Sequence, residues 1–386
     1  MSLLFIQNGT VALPEGMRPG TVVLQDGKIA ETDFRGELPA NAKVLDAAGM
    51  VVAPGFVDIH LHGGGGYDFM DGTPEAFREI AAIHLQNGAT TIVPTAVSAD
   101  FDSMTRFMEV YRQVAGDCPN LHGVHLEGPY ISPAQKGAHK EKFLHAPTPY
   151  ETARLLELGQ GILTTVTAAP ELPGMAEFAE TMGKNGVLLS VGHSNATSEE
   201  VFRAFDWGFS HVTHLYSATT TVRKVGQTVK AGIVEAAYLQ DGVTVELIAD
   251  GCHAAVDALR LAVKIKGTGG VALVTDALRP AGTHVSESYL GEKIPENRVI
   301  IEDGVAKLPD RSFFAGSIAT AGTVLKKACT HYGFSLHDAI KMLSETPARI
   351  VKLPNKGKLL PGMDADLVLL SDRLEVCRVI KNGIIM

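Results

Sequence analysis

His60 and His62 stand two residues apart at the end of an apolar run, Phe56-Val57-Asp58-Ile59-His60-Leu61-His62. Side chains alternate along a strand, so positions i and i+2 share a face and both imidazoles can turn toward one cation. Taken alone, the pair is explained equally well by polar packing. It does not stand alone. Other apolar runs also end in polar residues: Glu127 in His125-Leu126-Glu127-Gly128-Pro129, then Glu171, His193 in Val191-Gly192-His193-Ser194, His214 in Thr213-His214-Leu215, His253, and Asp276 in Val274-Thr275-Asp276-Ala277. Glu127, His193 and His214 supply the nitrogen and oxygen ligand set that Zn²⁺ takes in hydrolytic sites, with a position left for water. Asp276 by itself reads as a helix N-cap. Beside such a cation it reads as the general acid/base, which accepts a proton from metal-activated water and passes it to the leaving group. Gly63 to Gly66 either lets the backbone approach a ligand or makes a flexible loop. A nucleophilic serine is disfavoured by the lack of a Gly-x-Ser-x-Gly elbow.

These residues need elements to bring them together. Eight apolar, β-branched runs alternate with stretches of helical period: Phe56 to Leu61, Thr90 to Pro94, Leu121 to Leu126, Ile162 to Ala168, Val187 to Val191, His211 to Thr213, Val243 to Ile248 and Val271 to Thr275. Helices are predicted at Pro74 to Gln86, Phe101 to Val114, Ala176 to Lys184, Ser198 to Phe205 and Ala254 to Ile265. Eight such units predict an α/β fold, a (β/α)8 TIM barrel, whose active sites gather at the C-terminal ends of the strands. An open doubly wound sheet is the competing architecture. Short strands flank this pattern: Leu3 to Gln7, Thr21 to Gln25 and Lys28 to Glu31 near the start, Asp366 to Leu370 and Arg378 to Ile380 near the end. Each flank is too short for a good core of its own, so residues 1–53 and 356–386 are expected to combine into one small β-sandwich beside a catalytic barrel spanning 54–355.

The 386 residues are 45% hydrophobic and 20% charged, within the range of folded globular chains. With 34 basic and 43 acidic residues the net charge is -9, which disfavours nucleic acid and anionic membranes as partners. No apolar stretch approaches the length of about 18 residues needed to cross a bilayer. Cys118, Cys252, Cys329 and Cys377 form no Cys-x-x-Cys pair, which fits a reducing, cytoplasmic setting.

The pieces Ala53-Pro54-Gly55-Phe56-Val57-Asp58-Ile59-His60-Leu61-His62-Gly63, His125 to Pro129, Lys136-Gly137-Ala138-His139, Val191 to Ser194, Thr213-His214-Leu215-Tyr216 and Ile248-Ala249-Asp250-Gly251-Cys252-His253 run in order through the chain. Val274 to Ala277, Phe314-Ala315-Gly316-Ser317, Thr346-Pro347-Ala348 and Gly357 to Leu367 continue the series. Over almost its whole length the chain resembles the amidohydrolase superfamily, and within it the N-acetylglucosamine-6-phosphate deacetylases. That resemblance implies a barrel with a flanking β-sandwich, a homodimer, and release of acetate from the sugar amide to leave glucosamine 6-phosphate. It places the principal metal on Glu127, His193 and His214, the acid/base on Asp276, and a second ion on His60 and His62. The cofactor is then one or two divalent ions, Zn²⁺ first, with Fe²⁺, Mn²⁺ or Co²⁺ as alternatives. Ala138, His139, His253, Phe314, Ala315 and Gly316 fall where the family contacts the sugar phosphate. The chain departs from the family after His214, where Ser217-Ala218-Thr219 and Arg223-Lys224 replace the usual run. Ser217, Ala218 and Arg223 are the substrate contacts expected there, with Arg223 reaching a neighbouring subunit's site. Rival readings are an N-acetylgalactosamine-6-phosphate deacetylase, another N-acyl amidohydrolase, and a sugar-phosphate sensor without catalysis.

Overall fold

The computed structural model describes residues 3–40, 42–291, 293–311 and 314–386. Eight parallel strands succeed one another in a single sheet: β1 (Phe56–Leu61), β2 (Ala89–Ala96), β3 (Val124–Glu127), β4 (Leu163–Ala168), β5 (Leu188–Val191), β6 (His211–Val212), β7 (Thr244–Ile248) and β8 (Val271–Val274). Residues of β1 on one face, Val57 and Ile59, pack outward with Val274, Ile248, Ala348 and Ile350. The other face carries Asp58 and His60 inward. The seam between β8 and β1 closes through a parallel bridge from Leu61 to Ala277 and through Asp58. The Asp58 carboxylate accepts from the Thr275 backbone N–H at 3.3 Å and from the Thr275 hydroxyl at 2.5 Å. A side chain thus completes the ring where backbone pairing thins out, and it lies beside the residues that end both strands. The chain is a (β/α)8 barrel.

The helices form where cap and period agree. Pro74–Gln86 (α1) follows Thr73, whose hydroxyl accepts from the Ala76 N–H, and has proline in its first turn, where a missing N–H costs nothing. Phe101–Val114 (α2) follows Asp100, whose carboxylate accepts from the Ser103 N–H at 2.8 Å. Both bury one apolar stripe, Phe77 and Ile80 from the first meeting Phe107 and Met108 from the second. The rings of Phe77 and Phe107 lie 5.6 Å apart, with Phe69 against both. Each such ring contributes about 1.5–3 kcal/mol through burial, and Phe107→Ala would cost about 3–5 kcal/mol. Phe69 belongs to the turn that follows His62, and its N–H donates to the His62 carbonyl at 2.9 Å. This aromatic cluster therefore anchors the loop of the first two site histidines.

The third run begins at Val124 rather than Leu121, because Gly123 takes φ +64° and leaves only an isolated bridge between Ile92 and Leu121. Further helices beyond the five named spans lie at Pro149–Leu158, Ile233–Leu239, Ala321–Thr330 and Leu336–Leu343, none of them marked individually in the sequence. Equally unmarked is the antiparallel sheet of Glu287–Tyr289, Arg298–Glu302, Val305–Lys307 and Phe314–Ser317, inserted between β8 and its helix. It matters because the Leu278 N–H donates to the Ser317 carbonyl at 2.9 Å, laying that sheet along the segment after Asp276.

The two ends of the chain share a separate sheet. Leu3–Leu13 pairs with Gly16–Gln25, Lys43–Asp46 and Val51–Pro54, and the last of these pairs with Leu367–Leu370. Ile6, Val11, Val22, Leu24, Ile29, Val52, Leu367, Leu369 and Ile380 make its own core. Asp366 pins it from within, its carboxylate taking Lys356 Nζ at 2.6 Å and Lys381 Nζ at 2.8 Å.

Candidate metal centre

Seven side chains converge at the C-terminal mouth of the barrel. Glu127, the last residue of β3, is buried, and its two carboxylate oxygens divide the histidines. Oε1 lies 2.8 Å from His214 Nε2 and 3.0 Å from His193 Nε2. Oε2 lies 3.2 Å from His62 Nε2 and 3.6 Å from each of His60 Nε2 and His139 Nε2. Asp276 closes the second side, with Oδ1 3.1 Å from His62 Nε2 and 3.7 Å from His60 Nε2. The strand ends predicted to meet do meet, and His139 joins them from a loop.

The far ring nitrogens decide what each imidazole offers here. A carbonyl or carboxylate can only accept, so a ring nitrogen facing one must carry its proton. His193 Nδ1 donates to the Gln135 carbonyl at 2.9 Å, His214 Nδ1 to the Ser217 carbonyl at 3.2 Å, and His62 Nδ1 to the Thr95 carbonyl at 3.2 Å. His60 Nδ1 donates to Glu246 Oε2 at 2.9 Å. All four thereby commit Nδ1 and turn Nε2 toward the Glu127 and Asp276 carboxylates, where a cation takes the place of a proton, the arrangement usual for metal-bound histidine. His139 is the opposite case. The Ser98 backbone N–H donates to His139 Nδ1 at 3.2 Å, so a neutral His139 must carry its proton on Nε2. It is a donor in this cluster, not a ligand by the same atom.

Charge balance also favours a cation. Burial works against ionised His62, yet Asp276 and Glu127 hold it up at about 9. Burial likewise opposes the charge on His60, and Glu127, Glu246 and Asp276 raise it well above its ordinary value. Protons on these rings stand in for positive charge that the carboxylates demand, and a divalent ion competes for the same lone pairs. His60 Nε2 is buried without a hydrogen-bond partner, as expected of an atom shaped for a metal. The residues present fit the ion. By contrast, burial first and the charge of His60 second push His125, in the barrel below, down to about 3, and it stays a neutral partner of Thr167 and Thr95.

His193, His214 and Asp276 take φ values of 45°, 26° and 47°, the left-handed region that side chains other than glycine avoid. Such backbone costs roughly 1–3 kcal/mol per residue and is held by its surroundings. Here Glu171 supplies part of the hold, accepting from the Ser194 hydroxyl at 2.7 Å and the Asn195 N–H at 2.6 Å. The Asp276 N–H donates to the His60 carbonyl at 2.9 Å, which fixes that carboxylate to β1. Arg279 adds a brace, its guanidinium gripping Asp71 through two 2.7 Å bonds and so joining the loops after β1 and β8. Gly63 and Gly64 serve packing: a Cβ would meet the Tyr67 carbonyl at 2.4 Å in the first case and His84 Nε2 at 2.8 Å in the second.

The remaining expected contacts surround this core less tightly. Ala138 is exposed beside buried His139. Ser217 acts through its carbonyl on His214, and the Ala218 carbonyl accepts from the Ser194 N–H at 3.2 Å. Arg223 starts the hairpin Arg223–Val225 and Thr228–Lys230, and its Nη2 reaches the Asn195 carbonyl at 2.6 Å, two residues beyond His193. His253 is aligned by Asp250 Oδ2 at 2.7 Å and packs its ring 5.2 Å from Phe314. Ala315 and Gly316 are buried behind Phe314. Sequence reasoning missed Glu246 as the partner of His60. Its only signal is a carboxylate in the middle of an apolar run, Thr244-Val245-Glu246-Leu247-Ile248.

A family model described as "Amidohydrolase family" matches residues 51–386. The N-acetylglucosamine-6-phosphate deacetylase of Lysinibacillus sphaericus is 31% identical, over 98% of this chain and 97% of its own. The N-acetylgalactosamine-6-phosphate deacetylase of Shewanella sp. (strain ANA-3) is also 31% identical, over 86% of this chain and 82% of its own. Among solved structures, the N-acetyl-D-glucosamine-6-phosphate deacetylase of Mycobacterium smegmatis superimposes with a TM-score of 0.90 at 32% identity, covering 100% of both chains.

Proposed function

The chain belongs to the amidohydrolase family, and from that premise we propose that it is an N-acetylglucosamine-6-phosphate deacetylase, hydrolysing the acetamide to glucosamine 6-phosphate and acetate. The observation that carries this reading is the convergence of four Nε2 atoms and two carboxylates at one strand-end site, with His139 the imidazole whose Nδ1 accepts a main-chain N–H. Glu127, His193 and His214 hold the principal divalent ion, with His60 and His62 beside Asp276 as the second position. Zn²⁺ suits this mixed donor set best, and Fe²⁺, Mn²⁺ and Co²⁺ suit it too. Once bound, the ion lowers the pKa of water and neutralises charge developing on the amide oxygen.

The chain's own groups do the rest. His139 Nε2–H donates to the acetyl oxygen as it gains charge, a contact worth most in the transition state. Asp276 takes the proton from the attacking water and delivers it to the departing nitrogen, so one carboxylate serves both halves of the reaction. His139 is buried beside Glu127 and Asp276 is partly buried beside His62, where water is scarce and such charges act strongly. Arg223, His253 and the Phe314 to Gly316 strand are the contacts for the sugar phosphate, the guanidinium being suited to a bidentate grip. The assembly is a homodimer in which Arg223 serves the neighbouring site.

Acetate release from N-acetylglucosamine 6-phosphate and its galactosamine epimer, assayed side by side on metal-replete protein, tests the assignment. A higher kcat/KM on the glucosamine epimer is expected. No acetate from either substrate would overturn it, and a preference for the galactosamine epimer would move it to the reading that the Shewanella relative supports.

A further inference from the structure

Glu246 lies in the middle of β7, pointing into the barrel with 1% of its surface exposed. An isolated carboxylate in such a place costs several kcal/mol in lost hydration, far more than the threonines and serine that line neighbouring strands. Three groups compensate it. Its Oε2 accepts from His60 Nδ1 at 2.9 Å and from the His214 backbone N–H at 3.3 Å, and its Oε1 meets His211 Nε2 at 3.1 Å. His211 is itself held by the Thr244 hydroxyl at 2.6 Å. Two of these three partners belong to the cluster at the barrel mouth, one through its ring and one through its backbone. His62, His193 and His214 use main-chain carbonyls as Nδ1 acceptors, whereas His60 alone of the four uses a charged side chain. That carboxylate both fixes the ring tautomer and strengthens Nε2 as a donor to a cation. The recipient, His60 Nε2, is the buried atom of this cluster that has no hydrogen-bond partner.

We propose that Glu246 is a positioning residue of the metal centre: by holding the His60 Nδ1 proton it commits His60 Nε2 to a second divalent cation, bound on the side formed by His60, His62 and Asp276. The inference rests on the cluster being a metal site, as argued above. Glu246 touches no substrate and acts through His60. Gln at this position keeps the shape and can accept from one neighbour, but it supplies no charge to the His60 ring.

The test is Co²⁺ titration of chelator-stripped protein, read by visible absorption and by bound-metal stoichiometry, for the wild type, Glu246→Gln, His60→Ala and the double variant. The wild type should take up two ions. Glu246→Gln should weaken one of them by about 10–100-fold, the usual effect of removing such a partner, and leave the other within about threefold. In the double variant the weakened ion should be no weaker than in His60→Ala, because both changes act on the same ligand. Thermal melting of the stripped proteins separates this from a loss of folding: both ions lost together with a collapsed melting curve would mark a merely structural role and overturn the proposal. So would a wild type that binds one ion, or losses that add fully in the double variant. A wild type that binds none would instead sink the metal reading itself. Should Glu246→Gln fail to fold, ¹⁵N-histidine spectra of metal-loaded wild type decide the point, with His60 protonated on Nδ1 expected and protonation on Nε2 contradicting it.

Discussion

The backbone N–H of Ser98 donates to Nδ1 of His139 across 3.2 Å, and the ring is buried beside Glu127 with that nitrogen used up. The bond separates His139 from four histidines whose Nδ1 atoms donate instead. One main-chain amide thus turns a would-be metal ligand into the hydrogen-bond donor of the site. Burial first, and the charge of His193 second, also push His139 down to about 4, so it stays neutral with its proton on Nε2.

His139→Ala, which removes the donor, should therefore keep its metal while losing turnover. Removing one donor to a developing oxyanion costs about 10²–10³ in kcat. Elemental analysis and steady-state kinetics on the same preparation check this, and loss of metal with full kcat per bound ion would show that His139 is a ligand.

Asp276→Asn preserves size and hydrogen-bonding shape but removes the proton acceptor. The ion on Glu127, His193 and His214 should stay near its wild-type occupancy and the ion on the His60, His62 and Asp276 side should weaken, while acetate release falls below detection. Retained wild-type activity would remove Asp276 from proton transfer.

Arg223→Ala should raise KM for the phosphorylated sugar far more than for an unphosphorylated analogue, with kcat changing little. An equal rise on both substrates would assign Arg223 to the support of Asn195, which it touches at 2.6 Å, and not to phosphate.

The Asp71–Arg279 brace predicts a pH-dependent difference in stability. Burial tends to raise the Asp71 carboxyl, and the Arg279 hydrogen bonds override it and hold it below its ordinary value. A carboxyl depressed by folding adds stability above its unfolded pKa of about 3.9, and that stability is lost as pH falls toward the folded value. Asp71→Asn should lose about 1–3 kcal/mol at neutral pH, and its Tm deficit should shrink between about pH 6 and pH 3. Melts of chelator-treated protein measure this without interference from metal release. A deficit constant across that range would contradict the brace.

The sequence revealed the barrel because each strand is a short apolar run and each early helix begins at a capping residue, so α1 and α2 occupy their predicted spans, Pro74–Gln86 and Phe101–Val114. It revealed Glu127, His193, His214 and Asp276 because they interrupt apolar runs at the end where loops begin. Glu246 and Asp58 escaped notice because they lie inside runs, and only the inward parity of their strand positions marks them. The positive φ values at His193, His214 and Asp276 have no signature in residue type, since surrounding hydrogen bonds impose them. The tautomers were equally hidden: whether His139 donates or ligates depends on Ser98, 41 positions away.

Anomalous diffraction at the zinc edge, on crystals of zinc-loaded protein, tests the metal centre most directly. The arrangement predicts a peak at about 2.0–2.1 Å from the Nε2 atoms of His193 and His214, with Glu127 Oε1 completing the protein ligands. A peak bound through Nδ1 of either ring, or zinc seated away from Glu127, would contradict it.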